Sequence, residues 1–381
     1  VDALEPFGVA VVSGRLGDVG VGGLTLGGGL SFLSGQYGLV CDNVLNIEIV
    51  LANASIVNAN ASSNPDLFFA LKGGGNQFGI VTSFTMKAYP IGTAGNVWGG
   101  LRSYSGIYAE ELINATQAFT ANFDPKAAVI VTGEIAIDSL LDIFVVFLFY
   151  DGAAPPAGVF DAFDALPTIS DDVKTRTYAD LLTSDDNVNL YGLRYLIRGT
   201  TLPNLPSPLG PALFLEHYNT WKSYVLSNNL LHPGFIFSLA FQPLPAVIPS
   251  HATAAGGNAL GMDERNGDFM WMEYDISWLT PLSDNEAHAM AMNITSTVQE
   301  MVKQKYGGRG LMNSNAQPGG AVVGEGDGKG GQGLVFLNDA MYDQLPLQSY
   351  GMGNYERLKG VQQAIDPRAF FAGRTGGFKF T

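Results

Sequence analysis

The chain of 381 residues has a single cysteine, Cys41. One thiol excludes an intrachain disulfide, a structural zinc site and a CxxC redox pair, and no HExxH run supplies metal ligands in their place. With Val40 and Val44 close by, Cys41 reads as a buried, inert thiol. Long apolar runs are also lacking. The longest, Ile143–Tyr150, has the length of a strand and falls far short of the roughly twenty residues of a spanning helix. No membrane partner is expected. Charge is scarce at 14% of residues, and basic residues are scarcest: 20 Lys and Arg against 35 Asp and Glu leave a net charge of −15. Such a balance excludes nucleic acid and anionic membrane surfaces as partners and leaves neutral or cationic small molecules open. P-loop, GxSxG and kinase signatures are missing, as is any solenoid-type repeat. A signal peptide is missing too; Val1 is not an initiator and the residues after it are acidic, so a processed N-terminus is expected.

Glycine is what the chain has in abundance, 48 residues, alongside an apolar share of 46%. The length suffices for two domains with full cores. Val19–Asn43 reads VGVGGLTLGGGLSFLSGQYGLVCDN, with six glycines between Gly20 and Gly29. Apolar residues sit between those glycines, so the stretch is expected to be a buried strand-and-turn run. Without side chains in the way, its N–H groups suit a pyrophosphate or a flat heterocycle; tight turns packed between sheets are the other reading. A dinucleotide GxGxxG of the Rossmann kind is not expected, because no helix is predicted to open behind Gly23. The second block, Asp66–Val81, reads DLFFALKGGGNQFGIV, a short helix, three glycines and an apolar strand.

Periodicity places strands at 44–51, 55–58, 79–88, 97–104 and 127–150, a helix near 107–121, helices at Leu213–Ser227, Asp284–Tyr306 and Asn354–Gln363, and strands at Phe235–Pro243 and Phe269–Leu279. Asn64-Pro65-Asp66 is expected to cap a helix over Leu67–Lys72. Leu202–Pro211 reads as a surface loop, and Gly307–Gly333 as a glycine-rich loop.

The two glycine blocks, in this order, resemble the FAD-binding domain of the FAD-linked oxidases of the vanillyl-alcohol oxidase superfamily, and most nearly the fungal berberine-bridge-enzyme-like branch. The tail, Tyr350-Gly-Met-Gly-Asn354-Tyr355-Glu-Arg-Leu358 followed by Ile365-Asp366-Pro367, is similar to that branch's closing segment. The resemblance implies an α+β, two-domain fold. Its flavin domain would form from residues 1–90 with 337–381 as a C-terminal return segment. A β-sheet substrate domain flanked by helices would span 91–336. The cofactor it implies is FAD, and the reaction is removal of hydride from a hydroxyl, sugar or natural-product carbon to flavin N5, with O2 as acceptor giving H2O2. A redox-impaired member acting as a natural-product cyclase or binding protein is the alternative.

Carried over residue by residue, the flavin contacts are Val19, Gly20, Gly22, Gly23, Asp42, Asn43, Gly79, Ile80, Val81, Asn354 and Tyr355. Bicovalent members carry a cysteine just before the first glycine block, where this chain has Ser13-Gly14-Arg15-Leu16-Gly17-Asp18, so the FAD is not cysteinyl-linked. The family's histidine anchor belongs to an N-terminal subdomain to which nothing here corresponds; a separate N-terminal segment is therefore a candidate partner. Family members place tyrosines in a Tyr-x-Asn-Tyr context where this chain has Phe336-Leu337-Asn338-Asp339. Asp339 is accordingly a candidate base, with Asn338 orienting substrate. In strand 269–279 adjacent residues point to opposite faces, and Tyr274 is the second candidate base; Gln242 is a candidate substrate contact. His217 and His232 are read as surface or core histidines. Acidity, low lysine content and the resemblance point to a secreted glycoprotein, with sequons at Asn53, Asn60, Asn114 and Asn293.

Overall fold

A computed structural model describes residues 1–136, 140–188, 190–229, 234–306 and 334–380. His232 and the segment 307–333 lie outside the described residues. The chain divides into two compact units. The first joins Val1–Ile91, Ala246–Asn266 and Asn313–Thr381; the second joins Gly92–Pro245 and Gly267–Met312.

The first unit opens with strand β1 (Val9–Val11), helices α1 (Val21–Leu26) and α2 (Ser34–Tyr37), strands β2 (Val44–Val50) and β3 (Ile56–Ala59), helix α3 (Pro65–Leu71), and strands β4 (Ile80–Met86) and β5 (Ala88–Pro90). The second unit follows with β6 (Asn96–Ser105), α4 (Ala109–Ala121), β7 (Ala127–Ala136), β8 (Leu141–Tyr150), α5 (Asp161–Asp164), β9 (Thr168–Asp171), β10 (Lys174–Thr177), α6 (Tyr178–Asp185), β11 (Arg194–Pro203), α7 (Leu209–Asn229) and β12 (Ile236–Leu244). Helix α8 (Val247–Ala254) returns to the first unit, and β13 (Phe269–Trp278) and α9 (Asp284–Tyr306) to the second. Helices α10 (Pro346–Ser349), α11 (Met352–Ile365) and α12 (Phe370–Arg374) complete the first.

In the first unit β2 is central to an antiparallel sheet of order β3-β2-β4, and β1 pairs with β5. The β2–β3 hairpin turns at Asn53, whose side-chain oxygen accepts from Ser55 N at 3.0 Å, while Ala54 takes a left-handed φ of 66°. Asn64 does precede α3, with Pro65 in the first turn where its missing N–H costs nothing. Its side chain makes no cap, however; it donates to Asn58 O at 2.8 Å instead.

The second unit is built on an eight-stranded antiparallel sheet of order β10-β6-β8-β7-β12-β13-β11, with β9 on β6. Its long apolar strands, such as LDIFVVFLFY in β8, carry little side-chain polarity to solvate. Buried Trp221, Trp271, Trp278, Tyr104 and Phe144 anchor the core, each large side chain contributing about 1.5–3 kcal/mol by leaving water. Helix α9 occupies the predicted span; Asp284 and Glu286 stand in its first turn and Lys303 and Lys305 in its last, each opposite the helix partial charge of the other sign. The loop expected at 202–211 is shorter than read: β11 runs to Pro203 and α7 begins at Leu209.

Two further expectations are corrected. The glycine block is not a strand: Val21–Leu26 is a helix opening at Gly20, so the ground given for excluding a helix behind Gly23 fails. Val19 and Val21 are exposed, not buried. Ala246–Asn266, read as part of the middle domain, packs into the first unit. It is held there by polar bonds to α3 and to the segment before β2, which no local pattern announces.

Candidate active site

The first unit gathers all three glycine-bearing motifs. Gly75 N donates to Leu26 O at 3.0 Å, joining the second glycine block to the first. Val40 N and Cys41 N donate to Gly29 O and Gly28 O at 3.0 and 2.9 Å. Tyr350 of the closing segment donates its hydroxyl to Gly73 O at 3.2 Å, and burial pushes that phenol's pKa up. Gly28 (φ 109°), Gly29 (φ 79°) and Gly73 (φ 116°) occupy the left-handed region that side chains disfavour. A Cβ at Gly29 would come within 2.8 Å of Val40 Cβ, so glycine is required there on two counts.

At the start of α1 the need for glycine is different. Gly20, Gly22 and Gly23 are exposed, and a Cβ on any of them would meet nothing within 4 Å. Their backbone presents a bare surface which the fold itself does not fill. Thr25 Oγ1 on the same helix and Gln77 Oε1 of the second glycine block are buried without a hydrogen-bond partner, the kind of orphaned polar atom that a folded chain rarely leaves unpaired. The open backbone of these glycines fits the close approach of a polar, flat-ringed cofactor.

The remaining carried-over residues have structural employment. Asp42 is buried; its carboxylate accepts from Leu39 N at 3.0 Å and from Asn258 Nδ2 at 2.9 Å, and burial raises its pKa. Asn43 donates to Tyr37 O and Leu39 O at 2.9 and 2.8 Å and accepts from Tyr89 at 2.8 Å, which uses both amide hydrogens. Tyr89 in turn stacks on Tyr37 with centroids 3.8 Å apart. Gly79 lies against β2, where a Cβ would come within 2.6 Å of Val50 O. Ile80 is exposed and Val81 half-buried at the start of β4. Asn354 donates to Ala259 O at 3.1 Å, and the buried Tyr355 packs edge-on against Phe380. Asn258 and Ala259 were missed by sequence reasoning, and the Gly256-Gly257 turn before them was the only local signal.

Asn338 corrects an expectation. Its amide, expected to orient substrate, is bonded to the glycine block: Nδ2 donates to Gly23 O (3.0 Å) and Leu24 O (3.3 Å), and Oδ1 accepts from Gly29 N (3.2 Å). Asp339 follows in a short 3-10 turn, half-buried, with its N–H donating to Phe336 O at 3.1 Å. Cys41 is fully buried, its Sγ 3.8 Å from Asp42 Oδ1, and its pKa is raised well above the usual thiol value by burial and then by Asp42. It is inert as expected.

Tyr274 is corrected as well. In the second unit, Gly133, Leu239, Tyr274 and Arg198 share one register row across β7, β12, β13 and β11. That row faces the helices: the Tyr274 hydroxyl shares a hydrogen bond with His217 Nε2 of α7, and Arg198 Nε donates to Thr295 of α9 at 2.8 Å. Tyr274 is 2% exposed and burial pushes its pKa up, so it is locked in the helix–sheet core. The next row, Glu134, Ser238, Asp275 and Ile197, points away from α7 and α9. Gln242, opposite Trp271, lies on that same face and is buried. Glu273 accepts from Trp271 Nε1 at 2.6 Å, and burial raises the pKa of Glu134. Among the described residues no group of three or more His, Cys, Asp or Glu is gathered for a metal ion, and no helix is long and apolar enough to cross a membrane.

Comparison with known proteins bears on the glycine cradle directly. Residues 1–60 match the model of an FAD binding domain. Over its whole length the chain is 38% identical to an uncharacterized FAD-linked oxidoreductase of Arthroderma benhamiae and spans 71% of that protein. The chain belongs to the FAD-linked oxidoreductases. Among solved structures, 6-hydroxy-D-nicotine oxidase from Arthrobacter nicotinovorans superimposes with a TM-score of 0.74 at 19% identity, over 97% of this chain and 74% of that one. Glucooligosaccharide oxidase from Acremonium strictum, described with a 6-S-cysteinyl, 8α-N1-histidyl FAD, gives 0.69 at 18% identity over 97% and 73%. These likenesses establish the two-domain FAD-linked oxidase fold for this family member, and the family resemblance read from the glycine blocks and the tail holds.

Proposed function

We propose that this FAD-linked oxidoreductase is an oxidase of a small molecule, taking hydride from a hydroxyl, sugar or natural-product carbon and passing the electrons to O2. The observation that carries the reading is the bare backbone at Gly20, Gly22 and Gly23, which the fold itself does not fill. Bound there, FAD would supply the two-electron chemistry, leaving the chain to bind, orient and exclude water. The glycine block, braced by Asn338, would hold the ring system, and the second block would hold the adjoining polar part. Half-buried Asp339, next to Asn338, remains the candidate proton acceptor, and Gln242 a candidate substrate contact. The two solved relatives act on a nicotine derivative and on glucooligosaccharides, which supports a neutral or cationic small substrate alongside the net charge of −15.

Attachment of the flavin through Cys41 has no support, since that thiol is sealed in the core. Secretion and N-glycosylation belong to the same proposal, resting on acidity and on the exposed sequon at Asn53. A redox-impaired cyclase or binding protein is the second reading. It is favoured by buried Phe336 standing where relatives place a tyrosine and by the burial of Tyr274 against His217 in the helix–sheet core. The test is a visible spectrum of the purified protein followed by anaerobic mixing with a panel of sugars, aryl alcohols and amines. An oxidase shows flavin bands that bleach with one substrate class and yields peroxide in air. A protein without flavin bands, or whose bands never bleach, is the second kind.

A further inference from the structure

We propose that Asn338 is a positioning residue for the flavin: it holds the Gly23–Gly29 backbone in the conformation that cofactor binding requires. The inference rests on the FAD reading above and deepens it. Asn338 reaches the glycine block from more than three hundred positions away in sequence, and its whole amide is spent there. Nδ2 donates to the carbonyls of Gly23 and Leu24, and Oδ1 accepts from the N–H of Gly29. Carbonyls on one side and an N–H on the other fix the amide's orientation, and only an amide supplies both functions at this reach.

The bonds bracket the point where α1 ends. Gly27 N and Gly28 N close the last helical turn on Gly23 O and Thr25 O at 3.0 and 3.2 Å, and the chain then enters left-handed φ at Gly28 and Gly29. The first two of the Asn338 bonds fix the carbonyls of the turn containing Gly22 and Gly23, the open backbone at which a cofactor fits. The third fixes the residue by which the strand of chain leaves. Gly27 shows how closely the amide is seated, because any Cβ there would overlap Asn338. An aspartate at 338 would keep the contact with Gly29 N but set a carboxylate oxygen against two carbonyls.

Two measurements on the full chain test this. FAD affinity is read by titrating apoprotein with FAD and following flavin fluorescence. Amide hydrogen exchange of Leu24–Gly29 in the apoprotein reads the backbone itself. Asn338→Asp is expected to weaken FAD binding about tenfold, the size of one lost hydrogen bond and the carboxylate–carbonyl repulsion that replaces it. It should also speed exchange in Leu24–Gly29 while α3 and the second unit exchange at parental rates. Gly27→Ala should weaken FAD alone, yet cost less in the Asn338→Ala background, where the methyl group enters the vacated space. FAD affinity within twofold of the parent for both Asn338→Asp and Gly27→Ala overturns the proposal. So does faster exchange spread evenly through the chain, or failure of both variants to fold, since either makes Asn338 a general stabiliser. A parent that binds no FAD sinks this inference together with the proposed function, whereas silent variants of a flavin-binding parent sink this inference alone.

Discussion

His217 and Tyr274 share a hydrogen bond inside the helix–sheet core of the second unit, with His217 Nδ1 buried and unpaired. Burial lowers the His217 pKa to about 3 from the usual 6.5, so the ring stays neutral in the folded state. Protonation then favours the unfolded chain. Above pH 6.5 neither state binds the proton and the pair is at full strength; below it stability falls at about 1.4 kcal/mol per pH unit down to pH 3. Urea unfolding of the parent and of His217→Asn from pH 7 to pH 4 is expected to give a stability difference between the two proteins that changes with that slope, the opposing contribution of Asp185 being common to both. Tyr274→Phe should lose about 1–3 kcal/mol from the unpaired ring nitrogen and leave flavin reduction intact. A rate that collapses in Tyr274→Phe while stability holds would return Tyr274 to the candidate bases.

Asp185 carries a stability change of the other sign. It is 1% exposed, one carboxylate oxygen has no partner, and burial raises its pKa to about 7 despite nearby Arg176. The unfolded carboxyl releases its proton near pH 3.8 and the folded one near 7, so stability falls as pH rises between those values. Asp185→Asn removes the charge and should stabilise at pH 8 by on the order of 2 kcal/mol, with little effect at pH 4. Thermal melts at the two pH values check it; equal shifts at both would mean that the charge is not the cause.

Asn258 ties the returning segment 246–266 to Asp42, and Lys72 adds bonds on either side, its carbonyl accepting from Ala259 N at 2.9 Å and its Nζ donating to Ala255 O at 3.3 Å. Asn258→Leu leaves a buried carboxylate oxygen with only the weak Cys41 thiol as partner and should cost about 1–3 kcal/mol. Limited proteolysis should then cut within 246–266 sooner than in the parent. Unchanged cleavage would show that the apolar contacts of Leu260 suffice without the polar tie.

Local pattern made much of this legible. Apolar alternation and helical spacing located β12, β13 and α9, and the motif order located the flavin-binding end. What escaped was non-local. Val21–Leu26 reads as part of a strand-and-turn run because apolar residues lie among its glycines, whereas the backbone bonds that make it a helix leave no mark on composition. The face of Tyr274 was undecidable from the strand alone; His217 on α7 decides it. Asn338 was assigned to substrate because its tether is on the other side of the sequence.

Among the sequons, Asn53 and Asn60 differ in what their amides already do. Asn53 is exposed at a hairpin tip with Ser55 Oγ 2.6 Å from its Oδ1, whereas Asn60 is half-buried and donates Nδ2 to Asn46 Oδ1 at 2.9 Å. Glycopeptide mass spectrometry on protein secreted from a eukaryotic host should find a glycan on Asn53 and none on Asn60. A glycan on Asn60 would show that its half-buried position and bond to Asn46 do not protect the amide.

Gly22 separates what the glycine block does for the fold from what it does for a cofactor. It lies inside α1, is exposed, and a Cβ there meets nothing within 4 Å. By helix propensity alone Gly22→Ala should stabilise by about 0.5–1 kcal/mol. If that bare backbone is where the flavin lies, the same methyl group occupies cofactor space and affinity should fall. The two readouts then move in opposite directions: the apoprotein melts at an equal or higher temperature, while flavin retained through gel filtration drops several-fold, on the scale of one poorly seated contact. Gly23→Ala should behave alike, its neighbour Asn338 acting on the carbonyl and not on the Cβ side. Parental flavin retention in both variants would place the cradle elsewhere on the first unit, and a lowered melting temperature would mean that these glycines serve the fold.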